Sequence, residues 1–249
     1  MMHKFFLSMA MIAFATIANA KTNTSTYTVN VQDFYELNVS DGINVIYRCN
    51  PDSAGIAIFS TTPQLTSRIM FSNPKGKLKI ELSDEERNAD TLRGLPTVTV
   101  YSSFLSKAEN RSDSALIVDN PAAGPTLKLK LTGNGRLVAR NVHVTTLDAS
   151  IASGKGEIFV YGKCKDANLN FNLTGNGKIT ADRLVATNVK CKLFGNGEVS
   201  CNVNGGDLTL QGISGATIYY RGNPTNIKNR ATKAKLVNLD ELDAAKPQN

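Results

Sequence analysis

The sequence predicts an all-β protein, a parallel β-helix or β-solenoid with coils of about 21 residues. Gly-x-Gly pairs begin at Gly133, Gly154, Gly175 and Gly195, at steps of 21, 21 and 20 residues. Alternating apolar and polar residues flank these pairs, which is typical of strands with one buried face. Val, Ile, Thr and Asn are plentiful, and Trp is absent. Units this short bury their apolar faces only by stacking on one another.

The Gly-x-Gly pairs predict a sharp corner that is built again in each coil. Such a corner requires a positive φ, or it leaves no room for a Cβ beside the neighbouring coil, and glycine meets both conditions. One further step back from Gly133 reaches Ser112, in a Ser-Asp-Ser segment that we interpret as a degenerate corner. The predicted corner residues are Gly133, Gly135, Gly154, Gly156, Gly175, Gly177, Gly195 and Gly197.

Asparagine stands between the two glycines of three corners, at Asn134, Asn176 and Asn196. One interpretation is a partial ladder of side-chain amides along the stack. The other is that Asn tolerates a left-handed turn, and the residue type favours this second interpretation.

The strands before the corners predict a narrow, filled core. Their apolar positions alternate with polar ones over Leu127–Leu131, Leu169–Leu173 and Val189–Leu193. Small residues occupy the slots that the pattern assigns to the interior: Ala139, Ala152, Ala181, Cys191 and Cys201.

The residue that follows each Gly-x-Gly alternates in charge along the chain. These residues are Arg136, Glu157, Lys178 and Glu198. If the coils stack in register, each charge lies beside opposite charges, which is the favourable arrangement between neighbouring strands.

The first 20 residues predict a secretory signal peptide. A short basic start is followed by an apolar run from Phe5 to Ile17 and by the small-x-small sequence Ala18-Asn19-Ala20. An N-terminal membrane anchor is the alternative, but the run is shorter than the roughly 20 residues that span a bilayer. We therefore expect export, no transmembrane segment after cleavage, and a mature chain that begins near Lys21.

The chain divides into four predicted regions: a signal peptide (1–20), an N-terminal β region (21–107), the Gly-x-Gly β-helix (108–226) and a C-terminal cap and tail (227–249). In the N-terminal region, Asp41-Gly42 and the segments 50–53 and 73–76 predict turns. The charged run over 84–90 predicts a solvated loop.

The composition restricts the class of function. The formal net charge is +7, and cleavage removes only Lys4, which leaves a mildly basic protein of charge +6. This balance favours an acidic surface or polysaccharide over a cationic partner. The Lys and Arg residues are spread along the chain rather than clustered, so we expect no nucleic acid partner.

Neither the cysteines nor the histidines predict a metal site or another cofactor. Cys49, Cys164, Cys191 and Cys201 match no zinc-ligand spacing, and His143 is the one histidine that remains after cleavage. We expect the cysteines to serve packing. In an oxidising compartment, a disulfide between Cys164 and Cys191 or between Cys191 and Cys201 is the alternative.

Residues 27–226 resemble exported bacterial proteins of the head-GIN type, described as autotransporter adhesins. The motif Phe34-x-x-Leu37-x-Val39-Ser40-Asp41-Gly42-Ile43-Asn44-Val45 contains the Gly-Ile-Asn of that name. The Leu-x-Gly-x-Gly-x-Ile repeats and the closing Ile218-Tyr219-Tyr220-x-Gly222-Asn223-Pro224 match as well. The resemblance implies a right-handed parallel β-helix, found often in Bacteroidetes-type bacteria. It brings no catalytic residues.

We therefore expect a non-catalytic exported protein, an adhesin or binding module located in the periplasm, on the cell surface or in the medium. Its ligand is expected to be a glycan or a surface protein, and its oligomeric state stays open. A flat face of outward side chains is the candidate binding face, and it comprises Lys128, Lys130, Asn170, Asn172, Lys190 and Lys192.

Two other functions are alternatives. A carbohydrate-active enzyme needs two carboxyl groups at a suitable separation, and Glu157 and Glu198 are expected about 10 Å apart. Lys178 between them would lower their pKa values and oppose a protonated general acid. An envelope carrier of lipids or other hydrophobic ligands needs an open apolar cleft, which the small interior residues do not predict.

Overall fold

The computed structural model describes residues 11–13, 24–83 and 94–245, with backbone alone at 11–13 and 170–175. The predicted charged loop lies outside the described residues, and so does the predicted signal peptide except for 11–13.

The described residues form 19 strands, two short α-helices and two 3-10 turns. The strands are β1 (Met11–Ala13), β2 (Ser25–Asn30), β3 (Glu36–Val39), β4 (Asn44–Cys49), β5 (Ile56–Thr61), β6 (Ile69–Ser72), β7 (Lys77–Leu82), β8 (Thr97–Ser102), β9 (Lys107–Asn110), β10 (Ala115–Asp119), β11 (Gly124–Thr132), β12 (Arg136–Gly154), β13 (Glu157–Gly175), β14 (Lys178–Leu193), β15 (Glu198–Val203), β16 (Asp207–Ile213), β17 (Thr217–Arg221), β18 (Asn226–Thr232) and β19 (Lys235–Asn238). The helices are α1 (Pro63–Thr66) and α2 (Leu239–Ala244), and the 3-10 turns are Pro51–Ser53 and Pro74–Gly76.

The strands stack in parallel into a β-solenoid of about six turns, which confirms the predicted fold class. Glu157 is the register partner of Lys178, 21 positions later, and Lys178 is the partner of Glu198, 20 positions later. Glu198 in turn pairs with Thr217, 19 positions later. The coils therefore become slightly shorter toward the C-terminal end.

Two faces of the solenoid enclose the core. The first face contains β3, β9, β11, the second halves of β12, β13 and β14, and then β16 and β18. The second face contains β4, β10, the first halves of β12, β13 and β14, and then β15, β17 and β19. Shifts in register near Ala139, Tyr161 and Ala181 mark where the long strands bend from one face to the other.

Antiparallel strands lie at the N-terminal end of the stack, where β2 pairs with β5, β5 with β8, and β6 with β7. The Gly-Ile-Asn motif connects this region to the first coil. Asp41 and Gly42 form the predicted turn with φ of 59° and 80°, and the next residue, Ile43, is fully buried. The Asn44 side chain accepts a 3.0 Å hydrogen bond from the backbone N–H of Ala115 on β10.

The core is filled by the inward residues of both faces. Ala139, Ala181, Cys191 and Cys201 are buried as predicted. The placement of Ala152 in the interior is wrong, because the register shifts after Ile151 and leaves Ala152 partly exposed. This irregularity shifts the alternation of inward and outward side chains on β12 by one residue just before the corner.

The Gly-x-Gly corners have both properties that glycine supplies. The first glycine has a positive φ at Gly133 (116°) and Gly154 (89°), and Gly154 pairs with Gly175. At the second glycine there is no room for a side chain: a Cβ on Gly156 would lie 2.6 Å from the Gly135 oxygen, and a Cβ on Gly177 would lie 2.5 Å from the Gly156 oxygen.

The last Gly-x-Gly corner has no positive φ at Gly195 and connects to the next coil through hydrogen bonds. The Gly195 oxygen accepts a hydrogen bond from the Ser214 hydroxyl. The Gly197 oxygen accepts one of 3.2 Å from the backbone N–H of Thr217. Backbone contacts between successive corners thus fix the spacing of the coils.

The corner asparagines follow neither of the two interpretations drawn from the sequence. None of Asn134, Asn176 and Asn196 has a positive φ. Instead, the Asn134 side-chain oxygen accepts a 3.0 Å hydrogen bond from the Lys155 backbone N–H, and Asn196 accepts one of 3.2 Å from Gly215. Each of these two side chains therefore caps a backbone N–H of the following corner.

Candidate binding face

Four outward side chains form a row along the first face. Lys128 is the register partner of Asp148, Asp148 of Asn168, and Asn168 of Lys190. Successive coils lie about 4.8 Å apart, so Lys128 and Lys190, which are three coil steps apart, are separated by about 14 Å along the axis.

A second row runs parallel to the first, two residues farther along each strand. Lys130 pairs with Ser150, Ser150 with Asn170, and Asn170 with Lys192. Asn172 follows Asn170 on β13, and the side chains of both lie outside the described residues. The structure thus brings the four predicted lysines together on one face.

A shallow groove of about 450 Å³ runs between these lysines. Its lining includes five residues that the sequence prediction missed: Lys107, Leu129, Asp148, Ser150 and Asn168. Lys107 pairs with Lys128, 21 positions later. The repeat step, applied backward from Lys128, could therefore have found it.

Glu109 on β9 is a buried carboxylate at the N-terminal end of this face, with an exposed fraction of 1%. Its oxygens lie 2.7 Å from Arg111 Nε, 2.8 Å from Lys107 Nζ and 3.2 Å from Lys130 Nζ. Burial alone raises the pKa of Glu109, but the hydrogen bonds from Arg111, Lys107 and Lys130 outweigh it and lower the pKa to about 2. The ionised carboxylate therefore holds Lys107 and Lys130 at the groove.

The other lysines of the face keep their charge available for a ligand. Among the ion pairs of the described residues, none involves Lys128, Lys190 or Lys192. Asp148, which lies between the lysine clusters, accepts a 2.8 Å hydrogen bond from the Asn168 amide. The face therefore presents two groups of cations with a polar stretch between them.

The carboxylates considered for catalysis lie on the second face, and each contacts a cation. Arg136 Nη2 lies 2.9 Å from Glu157 Oε2, and Lys178 Nζ lies 3.0 Å from Glu198 Oε2. Each of these carboxylates is therefore engaged in an ion pair with the side chain of a neighbouring coil. In the described part of the chain, no three His, Cys, Asp or Glu side chains group to hold a metal ion.

Residues 33–224 match the family described as "Putative auto-transporter adhesin, head GIN domain". The chain belongs to this head GIN domain family. The resemblance drawn from the Gly-Ile-Asn motif and the glycine repeats is thereby confirmed. No protein of curated function matches the sequence.

The fold of this head GIN protein is shared with solved structures of low sequence identity. A "putative adhesin" from Bacteroides fragilis has a TM-score of 0.75 at 18% identity, with 88% of this chain and 98% of that one covered. A "putative lipid binding protein" from Parabacteroides distasonis has a TM-score of 0.64 at 17% identity, covering 87% and 96%. A "putative adhesin" from Parabacteroides merdae has a TM-score of 0.61 at 16% identity, covering 88% and 98%.

Within the residues that the structure of this head GIN protein describes, no helix has the length and hydrophobicity needed to cross a bilayer. Cys191 and Cys201 are buried, Cys49 and Cys164 are half-buried, and all four are free thiols. The expected packing role thus fits Cys191 and Cys201 best.

Proposed function

We propose that this head GIN protein is an exported, non-catalytic binding protein of the cell envelope or cell surface, and that its basic face holds an acidic polysaccharide. The observation that carries the proposal is the alignment of Lys107, Lys128 and Lys130 with Lys190 and Lys192 along one groove. Membership of an adhesin family and the signal peptide predicted from the sequence support the location.

The separation of the lysines favours a polymer over a small anion. A phosphate or a single carboxylate contacts one lysine cluster, whereas an extended chain contacts both across about 14 Å. The polar stretch at Asp148 and Asn168 offers hydrogen-bond partners for sugar hydroxyl groups between the charged contacts. Once one lysine cluster has bound a polysaccharide, the other cluster meets the same polysaccharide at a high effective concentration.

The alternatives have less support. A lipid carrier needs an apolar cavity, yet the described inward side chains of this solenoid pack against one another and are almost fully buried. A carbohydrate-active enzyme needs two carboxyl groups that face the substrate, and Glu157 and Glu198 each contact a cation of a neighbouring coil instead. One similar structure is named a "putative lipid binding protein", but at 17% identity that likeness shows the fold alone.

The test measures affinity for polygalacturonate and alginate by biolayer interferometry. The variant Lys128→Ala/Lys190→Ala/Lys192→Ala is compared with a control, Lys155→Ala/Lys163→Ala/Lys165→Ala, which removes the same charge from exposed positions outside the groove. We expect the groove variant to lose at least about tenfold in affinity while the control changes little, and we expect binding to weaken as salt rises.

Equal losses of affinity in both triple variants would show that net charge alone governs binding, and would contradict the assignment of the groove. The absence of binding to either polymer would contradict the proposed ligand class. Protease treatment of intact cells tests the location separately, because only a protein on the outer surface is cleaved under those conditions.

A further inference from the structure

A second groove, of about 420 Å³, lies on the second face of the solenoid. Its floor follows one row of register partners: Phe159 pairs with Thr180, Thr180 with Ser200, and Ser200 with Tyr219. An aromatic ring therefore stands at each end of the row, and two small hydroxyl residues lie between them. The two rings are three coil steps apart, or about 14 Å along the axis.

Neighbouring residues fix both ends of this row. The guanidinium carbon of Arg136, in the preceding coil, lies 5.4 Å from the centre of the Phe159 ring. At the other end, Leu239 lines the groove at the start of α2. Arg221 holds that helix through contacts of 2.9 Å to Asp240 and 2.6 Å to Asp243.

The carboxylates beside the floor outnumber the cations by one, because Asp182 also lines the groove. Glu157 and Glu198 line the groove, and each is ion-paired to a cation, to Arg136 and Lys178 respectively. These contacts leave the groove without the excess of positive charge found on the first face. They still provide hydrogen-bond donors and acceptors in fixed positions along the rim.

The strands of the floor exclude one common mode of peptide binding. An extended peptide adds to a sheet through a free strand edge. Here the first half of β14 is paired on both sides, with β13 and β15, and β15 is also paired with β17. A lipid chain fits no better, because it would cover the Ser200 hydroxyl and the carboxylates at the rim without supplying hydrogen-bond partners.

We propose that this groove binds a neutral oligosaccharide. The apolar face of a sugar ring packs on Phe159 at one end and on Tyr219 at the other. The sugar hydroxyl groups between the two rings bond to Ser200 and to the paired carboxylates at the rim. This site does not depend on the acidic polysaccharide proposed for the first face, and the two sites share no lining residue.

The experiment screens neutral hexasaccharides of glucose, mannose and galactose, and then measures the strongest binder by calorimetry. Three variants test the groove: Phe159→Ala and Tyr219→Ala remove a ring, and Thr180→Tyr fills the floor. The matched control is Phe194→Ala, which removes an aromatic side chain that is 39% exposed at a Gly-x-Gly corner. Circular dichroism establishes that each variant is folded.

We expect each groove variant to lose about tenfold or more in affinity. Phe194→Ala and the triple lysine variant of the first face should stay within about twofold of the unchanged protein. Failure of every neutral hexasaccharide to bind, or an affinity in the Phe159, Tyr219 and Thr180 variants that equals that of the unchanged protein, would overturn the proposal. Loss of acidic polysaccharide binding in those same variants would also overturn it, because the two sites would then not be separate.

Discussion

Arg136 donates a 2.9 Å hydrogen bond to Glu157 although 21 residues separate the two in sequence. Their Cα atoms are register partners in adjacent coils, and the same register places Glu157 beside Lys178 and Lys178 beside Glu198. The alternation of charge in the sequence thus becomes an alternation of charge along the axis of the solenoid.

Reversing one charge of this ladder should cost a small but measurable amount of stability. Arg136→Glu puts two carboxylates side by side, and we expect the free energy of unfolding to fall by about 0.2–1 kcal/mol. In the background of Glu157→Gln, Arg136→Glu should cost less, because position 136 then has no carboxylate beside it. Urea unfolding followed by circular dichroism measures the cost in both backgrounds. An equal cost in the two backgrounds would show that the two side chains do not interact.

Replacing a corner glycine by alanine should lower the stability far more than the same replacement at a glycine that has space for a side chain. A Cβ on Gly156 would meet the Gly135 carbonyl oxygen at 2.6 Å, and backbone atoms of a stacked coil cannot move away cheaply. We expect Gly156→Ala to lower the unfolding free energy by about 1–3 kcal/mol. The control is Gly94→Ala, whose Cβ would make an ordinary 3.4 Å contact with a Leu65 side chain. Equal unfolding midpoints for the two variants would contradict this account of the corners.

The fold could be predicted from the sequence because the sequence repeats. Gly-x-Gly spacing and alternating strands together fix which residues become neighbours one coil later, and the register of Arg136 with Glu157 follows from them. The lysine face could be predicted for the same reason. Local irregularities could not: the register shift after Ile151 depends on how β12 and its neighbours settle at the corner, and the alternation of residue types does not record it.

The burial of Glu109 beside the groove depends on contacts that no repeat encodes. Glu109 stands in register with Lys130, but its burial among three cations arises where the first coil meets the N-terminal strands. The Phe159–Tyr219 groove was also missed. Those rings are 60 residues apart in sequence and are joined only through Thr180 and Ser200, two unremarkable residues in a strand pattern.

Glu109 should make the protein sensitive to acid over a defined range. Its pKa in the folded state, about 2, lies below the usual value near 4.3 for an unfolded chain. Its contribution is therefore present above about pH 4.3 and is lost as the pH falls toward 2, with a size of about 3 kcal/mol. Glu109→Gln should flatten the dependence of unfolding free energy on pH in this range. The control Glu198→Gln changes an exposed ion pair and should leave most of the slope unchanged.

The buried Cys191 and the half-buried Cys164 should be unreactive in the folded protein. Burial, with a smaller contribution from Asp166, raises the pKa of Cys164 to about 12. A hydrogen bond with Cys201 and burial raise the pKa of Cys191. Because the thiolate is the reactive form, iodoacetamide at pH 8 should leave Cys164 and Cys191 unmodified until guanidinium is added. Mass spectrometry without reductant measures the outcome, and a disulfide at Cys191 would contradict it.

Strand β18 is the last strand of the first face, and its charged side chains should prevent its free edge from pairing with a strand of another molecule. Strand β18 pairs with β16 along one edge, and no described strand covers its other edge. Lys228 and Arg230 are exposed on β18, and charged side chains of this kind discourage edge-to-edge association. We expect Lys228→Val/Arg230→Val to form oligomers that grow with concentration, measured by light scattering after size exclusion. Lys128→Val/Lys190→Val removes the same charge from strands paired along both edges. If this control associates equally, net charge rather than the open edge governs self-association.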